Sequence, residues 1–190
     1  FVIGYAAIAW FLRFVEKPSP GETTSNLINA GTYVFEQSVL DLVDEGARVS
    51  VERVVFPALV DDGRLGALAT DDYWIDAGRP DLYLQANLDL VTGRRDVWCD
   101  PIAAGADVAP SAVLTDAVIS AGVTVEAGAV VSRSLLMPGA SVAAGAAIQD
   151  SVVEGHVGDG AEVTRSVIGA RYRVPAGAAV VDERLPRSAA

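Results

Sequence analysis

The sequence predicts an α/β segment followed by an all-β parallel β-helix, and three observations carry that prediction. Aliphatic residues in the second half recur every five or six positions. Small residues and glycine follow them, as in Ala121-Gly122, Ala127-Gly128, Pro138-Gly139 and Ala144-Gly145. This regularity begins near residue 100, and helical and strand patterns mix before it. A helix would need apolar spacings of three and four, and a flat strand a spacing of two.

The first fifteen residues, FVIGYAAIAWFLRFV, are apolar but contain Arg13. They fall short of the roughly 20 residues of a membrane helix and lack the basic start of a signal peptide. A buried strand pair or a domain edge is expected. Asn29 to Phe35 reads as a strand entered from a loop rich in Pro, Gly, Thr and Ser. Ser38 is expected to cap a short helix with Val39, Leu40, Leu42 and Val43 inward, stopped by Gly46. Ser50 is expected to cap a second helix that buries Val51, Val54, Val55, Ala58 and Leu59. Pro57 should kink or split it. Leu65 to Thr70 reads as a strand. Pro80 suits the first turn of a third helix and Gly93 lies just past its end, with Leu82, Tyr83, Ala86 and Leu90 as the buried stripe.

In the repetitive half the aliphatic row is Val108, Leu114, Ile119, Val125, Val131, Leu136, Val142 and Ile148, resuming at Val163, Ile168, Val174 and Val180. Each aliphatic residue points into a three-faced prism, and the small residue permits the corner. Val108 to Val180 should make roughly four coils. The step shortens at Val153–Val157, where a bulge or corner loop is expected. The domain reading is 1–98, 99–182 and a polar tail 183–190.

Of the 190 residues, 51% are hydrophobic, which fits a folded chain. A formal charge of −11 argues against nucleic acid and against an anionic membrane surface as partners. Cys99 is the single cysteine, so no intrachain disulfide forms, as suits a reducing cytoplasm.

Six blocks occur in order: Phe14-Val-Glu-Lys-Pro18, Ile28-Asn-Ala-Gly-Thr-Tyr33, Ser50-Val-Glu52, Val55-Phe-Pro57, Tyr73-Trp-Ile-Asp-Ala-Gly78 and Tyr83-Leu-Gln-Ala-Asn87. With the hexapeptides behind them, they resemble the C-terminal half of a sugar-1-phosphate nucleotidylyltransferase of the mannose-1-phosphate guanylyltransferase type. The resemblance covers about residues 11–181. It implies a partial Rossmann-like nucleotidyltransferase domain and a left-handed β-helix. It also implies joining of a nucleoside triphosphate to a sugar 1-phosphate with release of pyrophosphate, and Mg²⁺ as cofactor.

Each matched residue then acquires a role. Glu16 resembles the carboxylate that accepts hydrogen bonds from sugar hydroxyls, and Lys17 the cation that holds the sugar phosphate. Asn29 has the chemistry to donate to and accept from a sugar hydroxyl, and Gly31 lets the sugar approach the backbone. Asp76 resembles a carboxylate ligand of the catalytic Mg²⁺. Trp74 reads as core. The same residues also have bland readings. Glu16 and Lys17 make an ordinary surface pair, Asn29 and Gly31 turn residues, and Asp76 a partner of the helix dipole.

The family's glycine-rich nucleotide loop, with its following Arg, is not found in the sequence, and the chain opens on Phe1 rather than Met. The expectation is a piece of a longer chain that does not catalyse nucleotidyl transfer by itself. Two other functions compete. One is a non-catalytic regulatory or oligomerisation paralogue, and the other is a hexapeptide acyltransferase using His156, the only histidine, as base. Self-association through the β-helix, most simply as a dimer, is expected in each case.

Overall fold

The computed structural model describes residues 29–95, 97 and 99–186. It divides into two compact units, the first ending at Trp74 and the second starting at Ile75. The apolar stretch Phe1–Val15 lies outside the described residues.

In the first unit the expected short helix forms as a 3₁₀ helix, Gln37–Leu42. Its N-cap is Glu36 rather than Ser38, whose Oγ accepts from Arg64 Nη2 at 2.9 Å. Val39 is buried with Val55 and Leu59, but Leu40 is exposed. Ser50 does cap the next segment, its Oγ accepting the Arg53 N–H. Val51–Val55 then forms a π-helical turn that passes into α1, Phe56–Asp61. Pro57 has no N–H to give, and the Phe56 N–H reaches back five residues to the Val51 carbonyl. That wider turn rotates Val51 and Val54 outward, so only Val55 of that trio is buried.

Residues 29–35 and 65–70 pair into no ladder among the described residues. The alternation in the first of these is nonetheless used. Tyr33 and Phe35 both face the buried Phe56, with ring centroids 5.0 and 6.1 Å away, while Val34 between them is exposed. Period-two patterning has been satisfied against a helix rather than a neighbouring strand.

The second unit begins with α2, Pro80–Val91, which opens on proline as expected. Gly93, at φ 75°, follows its last residue by two. A solenoid of three parallel sheets follows. The first sheet contains β1 Asp107–Val108, β4 Thr124–Val125, β7 Ser141–Val142, β10 His156–Val157 and β13 Arg173–Val174. The second contains β2 Val113–Thr115, β5 Val130–Ser132, β8 Ala147–Gln149, β11 Glu162–Thr164 and β14 Ala179–Val181. The third contains β3 Val118–Ile119, β6 Leu135–Leu136, β9 Val152–Val153, β12 Val167–Ile168 and β15 Arg184–Leu185. Five strands per sheet make five coils, one more than the spacing suggested, because coils begin before Val108 and close after Val180.

The aliphatic row read from the sequence lies in this core; Ile119, Val125, Val131, Leu136, Val142, Ile148, Val163, Ile168 and Val174 are almost fully buried. Register partners Asp107–Thr124–Ser141 step by 17 residues, Ser141–His156 by 15, and His156–Arg173 by 17. The irregularity at Val153–Val157 is therefore a corner shortened by two residues, not a bulge. Gly155 makes it possible, since a Cβ there would meet the Tyr172 carbonyl oxygen and lie 2.6 Å from that of Gly169.

The corner between the second and third sheets uses no glycine. Asp116, Arg133, Asp150, Arg165 and Asp182 occupy it in successive coils, all at φ between 42° and 56°. Arg133 forks onto Asp150 at 2.7 and 2.6 Å, and Arg165 onto Asp182 at 2.7 Å twice. Inside this charged row runs a buried serine ladder. Ser134, Ser151 and Ser166 each donate to a carbonyl of their own coil. Each also accepts a backbone N–H from the next coil, at 3.0–3.1 Å. Hydroxyls suit the position because each satisfies one donor and one acceptor that the corner removes from the sheets.

Four strands of the third sheet carry a large aliphatic residue outward as well as one inward, Val118, Leu135, Val152 and Val167 being the outward ones. α2 covers that face with Leu84 and Leu88, against Leu135, Val152, Val118, Met137 and Val167. The buried stripe of α2 is thus Leu84 and Leu88 rather than Leu82, Tyr83, Ala86 and Leu90; Tyr83 is exposed. Leucines lie all round this helix, and the face that turned inward was chosen by the sheet opposite. No helix among the described residues is long and apolar enough to cross a membrane.

Candidate functional site

The loop Asn29-Ala30-Gly31 is held from two directions within the first unit. Asn29 Oδ1 accepts the Gly31 N–H at 3.0 Å, closing a tight turn for which Gly31 adopts φ 71°. Among the described residues nothing lies within 4 Å of where a Cβ of residue 31 would be. Asn29 Nδ2 donates to Tyr33 Oη at 2.7 Å and to Glu52 Oε1 at 3.1 Å. Tyr33 Oη lies 3.4 Å from the same Glu52 oxygen. From the other side Trp74 Nε1 donates to the Ala30 carbonyl at 3.2 Å. Trp74 is 46% exposed, so it is no core residue but a brace for this loop.

Sequence reasoning singled out Asn29 and Gly31 but not Tyr33 or Glu52. Both end motif blocks already quoted, Ile28–Tyr33 and Ser50–Glu52. What could not be read was that a helical turn 19 residues downstream of Tyr33 returns Glu52 to its hydroxyl. Asn29 also has less free capacity than its side chain suggests. Both amide hydrogens and one lone pair are engaged, leaving one acceptor position.

Asp76 lies in the second unit, exposed, ahead of α2. Its Oδ1 accepts the Gly78 N–H at 2.9 Å, and its other oxygen accepts no hydrogen bond among the described residues. Arg79, three residues on, is committed elsewhere by a fork onto Asp81 at 3.1 and 2.6 Å. That hydrogen-bonded fork lowers the Asp81 carboxyl and raises the Arg79 guanidinium from their ordinary values. Asp76 is therefore left with an available hard oxygen, the ligand type Mg²⁺ takes. No group of three or more His, Cys, Asp or Glu placed to hold a metal occurs among the described residues. Glu16 and Lys17 lie outside the described residues.

His156 sits on the outer face of the first sheet, half-buried. Its Nδ1 is 2.8 Å from Ser141 Oγ on the neighbouring strand, a cross-strand hydrogen bond of the kind that stabilises parallel ladders.

Residues 9–93 match the family model described as nucleotidyl transferase, and residues 103–185 the model described as GlmU-like, C-terminal hexapeptide. The mannose-1-phosphate guanylyltransferase of Mycobacterium tuberculosis is 37% identical over 117 residues, covering 57% of this chain and 32% of that protein. The mannose-1-phosphate guanyltransferase of Schizosaccharomyces pombe is 47% identical over 72 residues, covering 38% of this chain and 19% of that protein. The Saccharomyces cerevisiae protein of the same name is 32% identical over 102 residues, covering 54% and 27%. The chain thus matches a third or less of the length of these relatives. The six motif blocks fall within the first match and the solenoid coincides with the second, so residues 9–93 are similar to the nucleotidyl transferase family and residues 103–185 to the GlmU-like hexapeptide model.

Proposed function

We propose that this chain supplies the sugar-phosphate side of an enzyme that makes a nucleoside-diphosphate sugar, GDP-mannose from GTP and mannose 1-phosphate. The observation that carries the reading is the braced Asn29-Ala30-Gly31 loop, where no described residue comes near the place a Cβ of Gly31 would take. It is supported by the names of the similar proteins. In this reaction a phosphate oxygen of the sugar 1-phosphate attacks the α-phosphorus of the nucleotide. The α–β phosphoanhydride bond breaks, and its electron pair leaves with pyrophosphate.

On this reading Asn29 meets a sugar hydroxyl, and Gly31 keeps the backbone accessible. Glu16 and Lys17 bind the sugar hydroxyls and the phosphate, on the strength of their motif. The free oxygen of Asp76 is the group suited to Mg²⁺, which neutralises phosphate charge when bound. One protein carboxylate fits a metal held largely by substrate phosphates and water. Self-association belongs to the same reading. The outer positions of the second sheet expose Val113, Val130 and Val181, and Glu162 is their one charged residue.

The test is a pyrophosphate-release assay on the protein that carries this chain, with GTP, UTP, dTTP or ATP paired with mannose or glucose 1-phosphate. GTP with mannose 1-phosphate is expected to be the best pair. Asp76→Asn should lower kcat by about 10²-fold or more, with a small change in KM for the sugar phosphate. Turnover unaffected by Asp76→Asn would defeat the metal assignment. No turnover with any pair, with sugar nucleotides still binding, would favour the regulatory alternative.

A further inference from the structure

Glu52 is assigned no role by the resemblance or by the comparisons, yet it sits at the centre of the hydrogen bonds around Asn29. A carboxylate only accepts, and a backbone N–H only donates. Between the Glu52 carboxylate and the Gly31 N–H the Asn29 amide has one satisfactory orientation, nitrogen toward Glu52 and oxygen toward Gly31. Tyr33 Oη takes the second amide hydrogen. Tyr33 is itself placed by ring contacts with Phe35 and Phe56. Glu52 is placed by the Ser50-capped π-helical turn that leads into Phe56. The second oxygen of Glu52 accepts nothing among the described residues, and the carboxylate bonds to Asn29 and Tyr33 through one oxygen.

We propose that Glu52, assisted by Tyr33, is a positioning and specificity-determining residue of the sugar site. By consuming both amide hydrogens of Asn29 it leaves that side chain as an acceptor toward ligand. The site then selects a sugar carrying a free O–H at the position Asn29 meets, and rejects an analogue that can only accept there. This rests on the reading of Asn29 as a sugar contact given above.

The test compares the wild-type protein, Glu52→Gln and Tyr33→Phe for binding of mannose 1-phosphate and its monodeoxyfluoro analogues by calorimetry. Fluorine replaces a hydroxyl with a group that cannot donate. The wild type should lose about tenfold in affinity for one analogue of the panel, the scale of one hydrogen bond to a polar acceptor. Glu52→Gln allows the Asn29 amide to flip, because the glutamine can present its own N–H. It should narrow that discrimination to about twofold. Tyr33→Phe frees one amide hydrogen and should narrow it too. A structural role alone would weaken all ligands alike and leave their ratio unchanged. If the wild type discriminates and both variants keep its ratios, the Glu52 assignment is wrong while the site stands. If the wild type binds no sugar phosphate, the site reading falls and this inference with it.

Discussion

Five residues in left-handed backbone conformation, Asp116, Arg133, Asp150, Arg165 and Asp182, mark one edge of the solenoid. Asp tolerates this conformation through its short polar side chain, whereas Arg does so less readily. The alternation places each Arg against the Asp of the following coil, as Arg133 does with Asp150. The Arg133 guanidinium hydrogen-bonded to Asp150 holds that carboxyl below the usual carboxylate range, against the opposing effect of burial. A carboxyl with a lowered folded-state pKa adds stability above its unfolded value. It loses that stability as pH falls through the lowered one. Asp150→Asn keeps the left-handed preference and removes the charge. Its Tm should fall by a few degrees at pH 7 and match wild type once the carboxyl is protonated in both folded and unfolded chains. Thermal melts across that range check it, and a Tm difference unchanged with pH would show that the ion pair contributes nothing. The pair is about half exposed on the Arg side, so a large loss is not expected.

Corners decide how the repeat closes at the scale of the element. Gly139 and Gly155 stand at equivalent corners of successive coils, before β7 and β10, and they are glycine for different reasons. Gly139 has φ 90° and open space where a methyl group would stand, so Gly139→Ala costs backbone strain alone, about 1–2 kcal/mol. Gly155 has no positive φ, but its added Cβ would collide with two carbonyl oxygens of the next coil. Gly155→Ala must therefore separate the fourth and fifth coils, and it should cost more than Gly139→Ala, about 3 kcal/mol or more. Urea denaturation of the two variants ranks them. The reverse ranking would mean that the short corner has slack the geometry does not indicate. The Ser166 hydroxyl lies in the fourth coil and accepts the Glu183 N–H of the fifth, so a shift there would also break that inter-coil bond.

On the scale of the whole molecule, family boundaries and packing boundaries do not coincide. α2 falls inside the nucleotidyl transferase match, which ends at residue 93. By contact it belongs to the unit that starts at Ile75, because Leu84 and Leu88 cover the outward apolar row of the third sheet. The polypeptide Ile75–Ala190 is therefore expected to fold alone, with a β-type circular dichroism spectrum and one cooperative melt. A version starting at residue 100 should expose Leu135 and Val152 and bind a hydrophobic dye or aggregate. Equal behaviour of the two polypeptides would show that α2 is dispensable to the solenoid.

The solenoid was legible in the residues alone because each coil repeats one requirement, an aliphatic side chain inward on each of three faces. That requirement is local and periodic, so Val108 to Val180 announced it. The start and stop of α2 at Pro80 and Gly93 were equally local. Tertiary structure decided whatever depended on a distant partner. It chose Leu84 and Leu88 as the buried face of a helix with leucines all round. It turned Val54 outward through a π-helical turn, and set Tyr33 and Phe35 against Phe56 in place of a strand neighbour. At the candidate site the motif named Asn29 and Gly31, but which way the Asn29 amide points is set by Glu52, 23 residues away along the chain. Hydrogen-bond direction is a property of the assembled partners, and no single segment carries it.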